Sequence, residues 1–182
     1  YAVLREAGRT RAPGSENAVE GALETCRTHQ EKEEPLKVNL GWTENEFVLE
    51  KMGGSHGFTP SKEMIDIDFN TEPGGWKEAL RVQTAHEYAH TVCFEEVDEI
   101  VFNWQYVLFE AHSQNFAEKA FPDGNAPWRE HFEQGDLSER WPELKKALKK
   151  EVDESPIFRS EKYHEWLGYT AAYMIGQKLL ED

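Results

Sequence analysis

The chain has 182 residues, 38% of them hydrophobic, and a formal net charge of −15 at pH 7. This length suits one compact domain, and the acidic charge excludes nucleic acid as the expected partner because no basic stripe would replace counterions. Two cysteines are too few for a disulfide framework, and no apolar run is long enough to span a membrane. No signal peptide opens the sequence, so we expect a cytoplasmic protein and leave its oligomeric state open.

Residues 1–35 are predicted to be an N-terminal helical segment. Residues 1–7 form a short helical candidate, which ends in a polar stretch that contains Gly and Pro. Ser15 then has the character of an N-cap, and the apolar periodicity after it predicts an amphipathic helix that continues to about Gln30.

Residues 36–70 are predicted to form a small mixed sheet. Apolar residues alternate with polar ones over 36–42 and 64–70, which indicates two strands, and a weaker strand is expected at 47–49. The strand at 64–70 carries two Asp on one face and is expected at a sheet edge, where an extended peptide can pair with the main chain. A solvated sheet face is the alternative interpretation.

Residues 52–60 are rich in glycine and are predicted to be a loop. The segment lacks the Gly-Lys-Ser/Thr ending of a phosphate-binding loop, which excludes a nucleotide site. It is expected to be either a flexible turn between strands or a mobile rim over a substrate cleft.

His86, Glu87 and His90 form the pattern H-E-x-x-H. On a helix that begins near Trp76, residues four apart lie one above the other, so both imidazoles can bind one Zn²⁺. Glu87, offset by about 100°, can then act as general base on a water molecule beside the metal. The pattern fixes only three positions in a chain rich in Glu, so it needs a third ligand to support it.

Glu110 is the candidate third ligand. It lies 20 residues after His90, inside a predicted helix over residues 99–120. Two antiparallel helices within residues 76–121 would bring Glu110 across from His86 and His90, and this spacing is typical of gluzincins such as thermolysin. A structural role for Glu110, such as pairing with a cation, is the alternative.

Other residues are alternatives to Glu110 as the third ligand. A metzincin arrangement would need Gly and His where this chain has Cys93 and Glu96, so it is set aside. Glu118 lies about 80° from Glu110 around the same helix, and His112 points about 160° away from Glu110 and is expected not to bind metal. Cys93 lies on the histidine stripe but one turn further along, where packing is its expected role.

Three segments of the chain resemble a bacterial and archaeal family of predicted zinc-dependent proteases, a domain of unknown function with gluzincin-like motifs. They are the H-E-x-x-H segment, residues 110–118 (EAHSQNFAE) and residues 168–176 (GYTAAYMIG). The resemblance covers about residues 38–180. It implies zinc as cofactor, His86, His90 and Glu110 as its ligands, and Glu87 as the base.

The chain departs from the family pattern at three places. Ala111 stands where the family usually has Gly, and Ala172 precedes Tyr173 where Gly is frequent. Gln114 stands where thermolysin-type enzymes have an Asp that orients the first histidine. Its amide oxygen can still accept a hydrogen bond from His86, more weakly than a carboxylate would.

A peptidase also needs a donor for the developing oxyanion, and the loss of such a donor typically costs about 3 kcal/mol. The last predicted helix offers four candidates, which are Tyr163, His164, Tyr169 and Tyr173. Tyr173 matches the family motif and is the first choice, followed by Tyr169. The alternative for both is a core position with a satisfied hydroxyl. His56 of the glycine-rich segment is an outside candidate.

The sequence therefore predicts an α+β, minimal zincin-like domain, in which a small mixed sheet packs on the H-E-x-x-H helix, with C-terminal helices. It is expected to be a gluzincin-like zinc metalloprotease that acts on peptide or protein substrates. Its predicted parts are an N-terminal helical segment (1–35), a sheet (36–70), a metal-binding helix pair (76–121) and C-terminal helices (138–180). Two alternatives remain, namely a non-catalytic zinc-binding or regulatory protein with this fold, and a metal-free helical interaction domain with both histidines on its surface.

Overall fold

The computed structural model describes residues 2–5, 12–97, 99–126, 134–152, 157–158 and 166–181. Its helices are α1 (Ser15–His29), α2 (Glu46–Lys51), α3 (Trp76–Glu96), α4 (Asn103–Ala120), α5 (Gln134–Ala147) and α6 (Leu167–Glu181). Its strands are β1 (Ala2–Arg5), β2 (Lys37–Trp42), β3 (Ser55–Ser61) and β4 (Met64–Phe69). The predicted α+β class is confirmed.

The chain divides into two compact units. The first consists of Tyr1–Glu96 and Phe116–Pro127, and it contains the sheet, the helices α1 to α3 and the last turn of α4. The second consists of Val97–Asn115 and Trp128–Asp182, and it contains the beginning of α4 together with α5 and α6.

The described strands of the first unit form one mixed sheet in the order β1-β2-β4-β3. The first three strands in this order are parallel, and β3 runs antiparallel to β4. The sheet face that carries Val38, Leu40, Ile65 and Ile67 is buried. Helix α3 packs against β3 and β4, and α1 packs against α3. The prediction of a small mixed sheet packed on the H-E-x-x-H helix is therefore confirmed.

The predicted helix over residues 1–7 is wrong, because Ala2–Arg5 form β1. This strand pairs in parallel with β2, from Ala2 opposite Lys37 to Arg5 opposite Leu40. A segment of four residues has too little local preference to resist such pairing, so the tertiary partner decides its conformation.

The predicted strand at residues 47–49 is also wrong, because it lies in helix α2. Asn45 accepts a hydrogen bond from the main-chain N–H of Phe47 at 2.9 Å and so caps this helix. At α1 the expected cap is displaced by one residue, since Gly14 is the N-cap and Ser15 is the first helical residue.

The sheet edge beside β4 is formed by β3, which corrects the prediction of an edge strand at residues 64–70. In β4, Asp66 lies opposite Asn39 of β2 on one side and Phe58 of β3 on the other. The glycine-rich segment predicted as a loop instead turns at Gly53 and Gly54, whose φ angles are 66° and 87°, and then enters β3. Only the turn residues behave as the composition indicates.

The second unit has its own apolar core, built mainly from α4, α5 and α6. Its buried members are Val107, Ala111, Leu144, Ala147, Ile157, Phe158, Leu167, Ala171 and Ala172. Gly176 of α6 lies so close to the Asn115 side chain of α4 that a Cβ there would overlap its amide nitrogen. Gln177 donates to the Asn115 amide oxygen at 2.5 Å, which ties the two helices together at this crossing.

A buried ion pair joins the turn after α1 to the end of α3. Lys32 Nζ lies 2.5 Å from Glu95 Oε1, and the Lys32 side chain is 0% exposed while that of Glu95 is 19% exposed. The same carboxylate oxygen accepts a hydrogen bond from the main-chain N–H of Glu34 at 3.4 Å. Removal of one partner from such a pair leaves the other charge buried, which is more costly than the loss of the attraction itself.

We expect Glu95→Ala to lower the free energy of unfolding by about 3 kcal/mol, because the Lys32 ammonium would stay buried without its carboxylate. Urea denaturation measures this change. Lys62→Ala is the control, since Lys62 pairs with Glu34 at 3.3 Å on the surface and such pairs contribute less than about 1 kcal/mol. A loss for Glu95→Ala no larger than that of the control would contradict the expectation.

Candidate metal centre

The middle of helix α3 is buried on all sides. Every residue from Val82 to Val92 is buried, because the helix lies between the sheet and α1. The polar side chains enclosed in this way are Gln83, Thr84, His86, Glu87, His90 and Thr91. Burial of polar groups is unfavourable unless they are hydrogen-bonded or bind a ligand, and Thr84 and Thr91 donate to the carbonyls of Leu80 and Tyr88 at 2.7 Å. The partners of His86, Glu87 and His90 therefore decide what this segment can do.

The imidazoles of His86 and His90 face each other across one helical turn. Their Nε2 atoms are 3.0 Å apart, their rings are nearly perpendicular at 88°, and each residue is 5% exposed. Two imidazole nitrogens on one tetrahedral zinc ion lie about 3.3 Å apart, given Zn–N distances of about 2.05 Å. The observed separation fits two ligands of one ion.

Glu110 joins the two histidines in one group of buried ligand atoms. His86, His90 and Glu110 each offer one such atom, and these atoms all lie within 4.8 Å of one another. Glu110 is carried by α4, six residues before Phe116, whose ring stacks on that of Tyr88 with 5.9 Å between centroids. Two imidazoles and one carboxylate are a donor set of catalytic zinc sites, so these residues fit a zinc ion.

The group found among the described residues includes none of the rival ligands, namely Cys93, Glu96, His112 and Glu118. His112 is partly buried, and this burial lowers the pKa of its imidazole, which favours the neutral ring at pH 7. Gln114 is fully buried, and within the described part of the chain neither of its amide atoms has a hydrogen-bond partner. The predicted hydrogen bond from His86 to Gln114 is therefore not observed.

Glu87 is held from two elements of the first unit and is 3% exposed. Thr59 of β3 donates its hydroxyl to Oε2 at 2.6 Å, and Gln83 of α3 donates its amide to Oε1 at 2.7 Å. At Gly57 a Cβ would lie 2.5 Å from Glu87 Cγ, so the edge strand passes too close for any side chain. The sequence predicts no role for these three residues; the usable signal was the spacing of four residues between Gln83 and Glu87, which places them on one helix face.

The tyrosines proposed as oxyanion donors lie on α6. Tyr169 is partly buried, with its ring 5.0 Å from that of Phe158 and 5.9 Å from that of Trp166. Tyr173 is also partly buried, and its main-chain oxygen accepts a hydrogen bond from Asn115 at 3.4 Å. Tyr163 and His164 lie outside the described residues. The catalytic roles of Tyr169 and Tyr173 stay predictions.

His56, the outside candidate, lies on β3 opposite Asp68. Successive residues of a strand point to opposite faces, so His56 faces away from the side on which Gly57 and Thr59 meet Glu87. This placement argues against His56 as a donor near the base.

Tyr88, between the motif residues, has a structural role. Its hydroxyl donates to the Gln30 carbonyl at 2.7 Å, and burial, with a smaller contribution from Cys26, raises the pKa of Tyr88 to about 12. The phenol therefore stays protonated and links α3 to the end of α1.

Two buried imidazoles with a carboxylate, on an α+β scaffold, define a candidate zinc protein. The family model described as "Predicted Zn-dependent protease (DUF2268)" matches residues 16–182, and the chain belongs to this family. No curated protein and no solved structure is similar enough to match the chain. Among the helices that the structure describes, none combines the length and the apolar character needed to cross a membrane.

We expect Gly57→Ala to lower the free energy of unfolding by about 1–3 kcal/mol, because the new methyl group would overlap the Glu87 side chain. Thermal or urea denaturation measures the change. Gly21→Ala is the control: this position lies inside α1 with open space around it, so the same substitution should stabilise by up to about 1 kcal/mol. Equal effects at the two glycines would contradict the close approach of β3 to Glu87.

Proposed function

We propose that the protein is a gluzincin-type zinc peptidase that hydrolyses peptide bonds in peptide or protein substrates. The observation that carries the proposal is the buried group of His86, His90 and Glu110, with Glu87 on the same helix turn as the two histidines. The family description, a predicted zinc-dependent protease, supports both the metal and the reaction class.

In this proposal His86, His90 and Glu110 hold the zinc ion. When bound, zinc supplies the activation of a water molecule and the polarisation of the peptide carbonyl. The protein's own contribution is that these ligands are buried. Electrostatic interactions between the ligands and a bound ion are stronger where water is excluded. Three protein ligands also leave one position of a tetrahedral ion for the reaction.

Glu87 is the proposed general base. It takes a proton from the attacking water and gives one to the leaving amine, a role that requires a carboxylate with a fixed position beside the ligands. Its place directly after His86, and its hydrogen bonds to Thr59 and Gln83, supply that position. Tyr173, followed by Tyr169, is the proposed donor to the oxyanion.

The edge strand β3 is the proposed binding strand for an extended substrate. It replaces β4 in this role, since β4 is paired on both sides. An edge strand offers main-chain N–H and C=O groups to a second chain, and Gly57 brings this strand directly beside Glu87. A peptide paired with β3 would therefore lie near the proposed base.

The structure bears on one of the two alternative functions, the metal-free interaction domain. A metal-free interaction domain requires His86 and His90 on the surface, and that is wrong because both are buried. A non-catalytic zinc-binding protein requires the same ligands as the peptidase and differs only in turnover.

Glu87→Gln separates these two readings. We expect the variant to bind as much zinc as the parent, while kcat on a peptide substrate falls by at least about 100-fold, because an amide cannot accept the proton. Zinc content is measured by elemental mass spectrometry and kcat by cleavage of a quenched fluorescent peptide library. Glu78→Gln, a partly exposed position on the same helix, is the matched control and should keep parental activity.

Full activity in Glu87→Gln would contradict the assignment of the base. A parent that holds zinc and cleaves no peptide in the library would instead favour the non-catalytic protein.

A further inference from the structure

We propose that Thr59 and Gln83 are positioning residues that clamp the Glu87 carboxylate from two sides. The inference rests on the proposed function, since it concerns the group that acts as base there. Neither residue touches the reacting atoms in this scheme; both act through Glu87.

Gln83 forms the half of the clamp that belongs to α3. It lies four residues before Glu87, so the two side chains are neighbours on one helix face. Its amide nitrogen is 2.7 Å from Oε1, and both residues are buried. A hydrogen bond to a charged carboxylate in a buried place is among the stronger kinds, so this contact limits the rotation of the Glu87 side chain.

Thr59 forms the other half, from β3. Its hydroxyl lies 2.6 Å from Oε2 and 3.2 Å from the Glu87 main-chain oxygen, and the residue is buried. The register shifts next to it: Phe58 pairs with Asp66, and Ser61 pairs with Met64. From Phe58 to Ser61 the chain of β3 advances by three residues, while the paired chain of β4 advances by only two. One extra residue of β3 therefore forms a β-bulge around Thr59.

Gly57 and Thr59 lie on the same side of β3, as residues two apart in a strand do. The Thr59 hydroxyl contacts the carboxylate, and Gly57 two residues earlier leaves room for the Glu87 Cγ. The Glu87 carboxylate is therefore held by one hydrogen-bond donor at each oxygen, and β3 packs against the Glu87 Cγ.

If Thr59 and Gln83 position Glu87, their loss should slow the chemical step and leave metal binding unchanged. In Thr59→Val, which removes the hydroxyl and keeps the shape, we expect kcat to fall on the order of tenfold to 100-fold, because small displacements of a catalytic group have effects of this size. KM and zinc content should equal those of the parent. Gln83→Met should show the same pattern.

Two further variants separate positioning from general packing. Thr59→Ser restores a hydroxyl at the same place and should recover kcat to within a few-fold of the parent. Thr84→Val removes a buried hydroxyl of α3 that donates to the Leu80 carbonyl at 2.7 Å, and it should leave kcat unchanged. A Thr59→Val enzyme with parental kcat, or a Thr59→Ser enzyme as slow as Thr59→Val, would overturn the clamp.

A crystal structure of the zinc-loaded Thr59→Val protein decides the question without any assay of turnover. We expect the Glu87 carboxylate to leave its place beside β3; a carboxylate that stays in place would overturn the inference. If the zinc-loaded parent cleaves no peptide, the proposed function fails while this comparison of parent and variant still tests the clamp.

Discussion

The burial of two imidazoles and a carboxylate within one turn of α3 is the constraint on which the rest of the first unit depends. A buried polar group without a partner costs about 1–3 kcal/mol, so such a helix is tolerated only where its surroundings supply partners. The surroundings supply them for Glu87, since Thr59 of β3 and Gln83 of α3 each donate to one of its carboxylate oxygens. His86 and His90 place their Nε2 atoms 3.0 Å apart. Helix α1 covers the face of α3 that carries Tyr88, whose hydroxyl donates to the Gln30 carbonyl at the end of α1.

The same constraint explains why the sheet ends in a glycine-rich strand. An edge strand that packs over a carboxylate needs positions without a side chain, and Gly57 is such a position. Because this strand also lies at the sheet edge beyond β4, one element combines support for the proposed base with a main-chain surface for an extended peptide. In the proposed function, substrate binding and positioning of the base would therefore depend on the same strand.

The helix of the metal group was predictable because its information is local. Spacing of four residues places His86 above His90 whatever surrounds the helix, and alternation over residues 36–42 and 64–70 reveals β2 and β4. Three features were not predictable, because they depend on partners distant in sequence. Residues 2–5 become a strand through pairing with β2, and residues 55–61 of the glycine-rich segment become the edge strand through pairing with β4. The Thr59 donor to Glu87 is recognisable only once β3 lies beside α3. Residues 47–49 differ, because Asn45 is a local N-cap signal that favours helix α2 over a strand there.

Zinc stoichiometry decides whether His86, His90 and Glu110 bind one zinc ion. Elemental mass spectrometry would compare the parent with Glu110→Ala and with Glu118→Ala, a control on the same helix outside the group. We expect about one zinc per chain in the parent and in Glu118→Ala, and little in Glu110→Ala. A parent that stays free of zinc after incubation with the metal would contradict this expectation, as would zinc retained in full by Glu110→Ala.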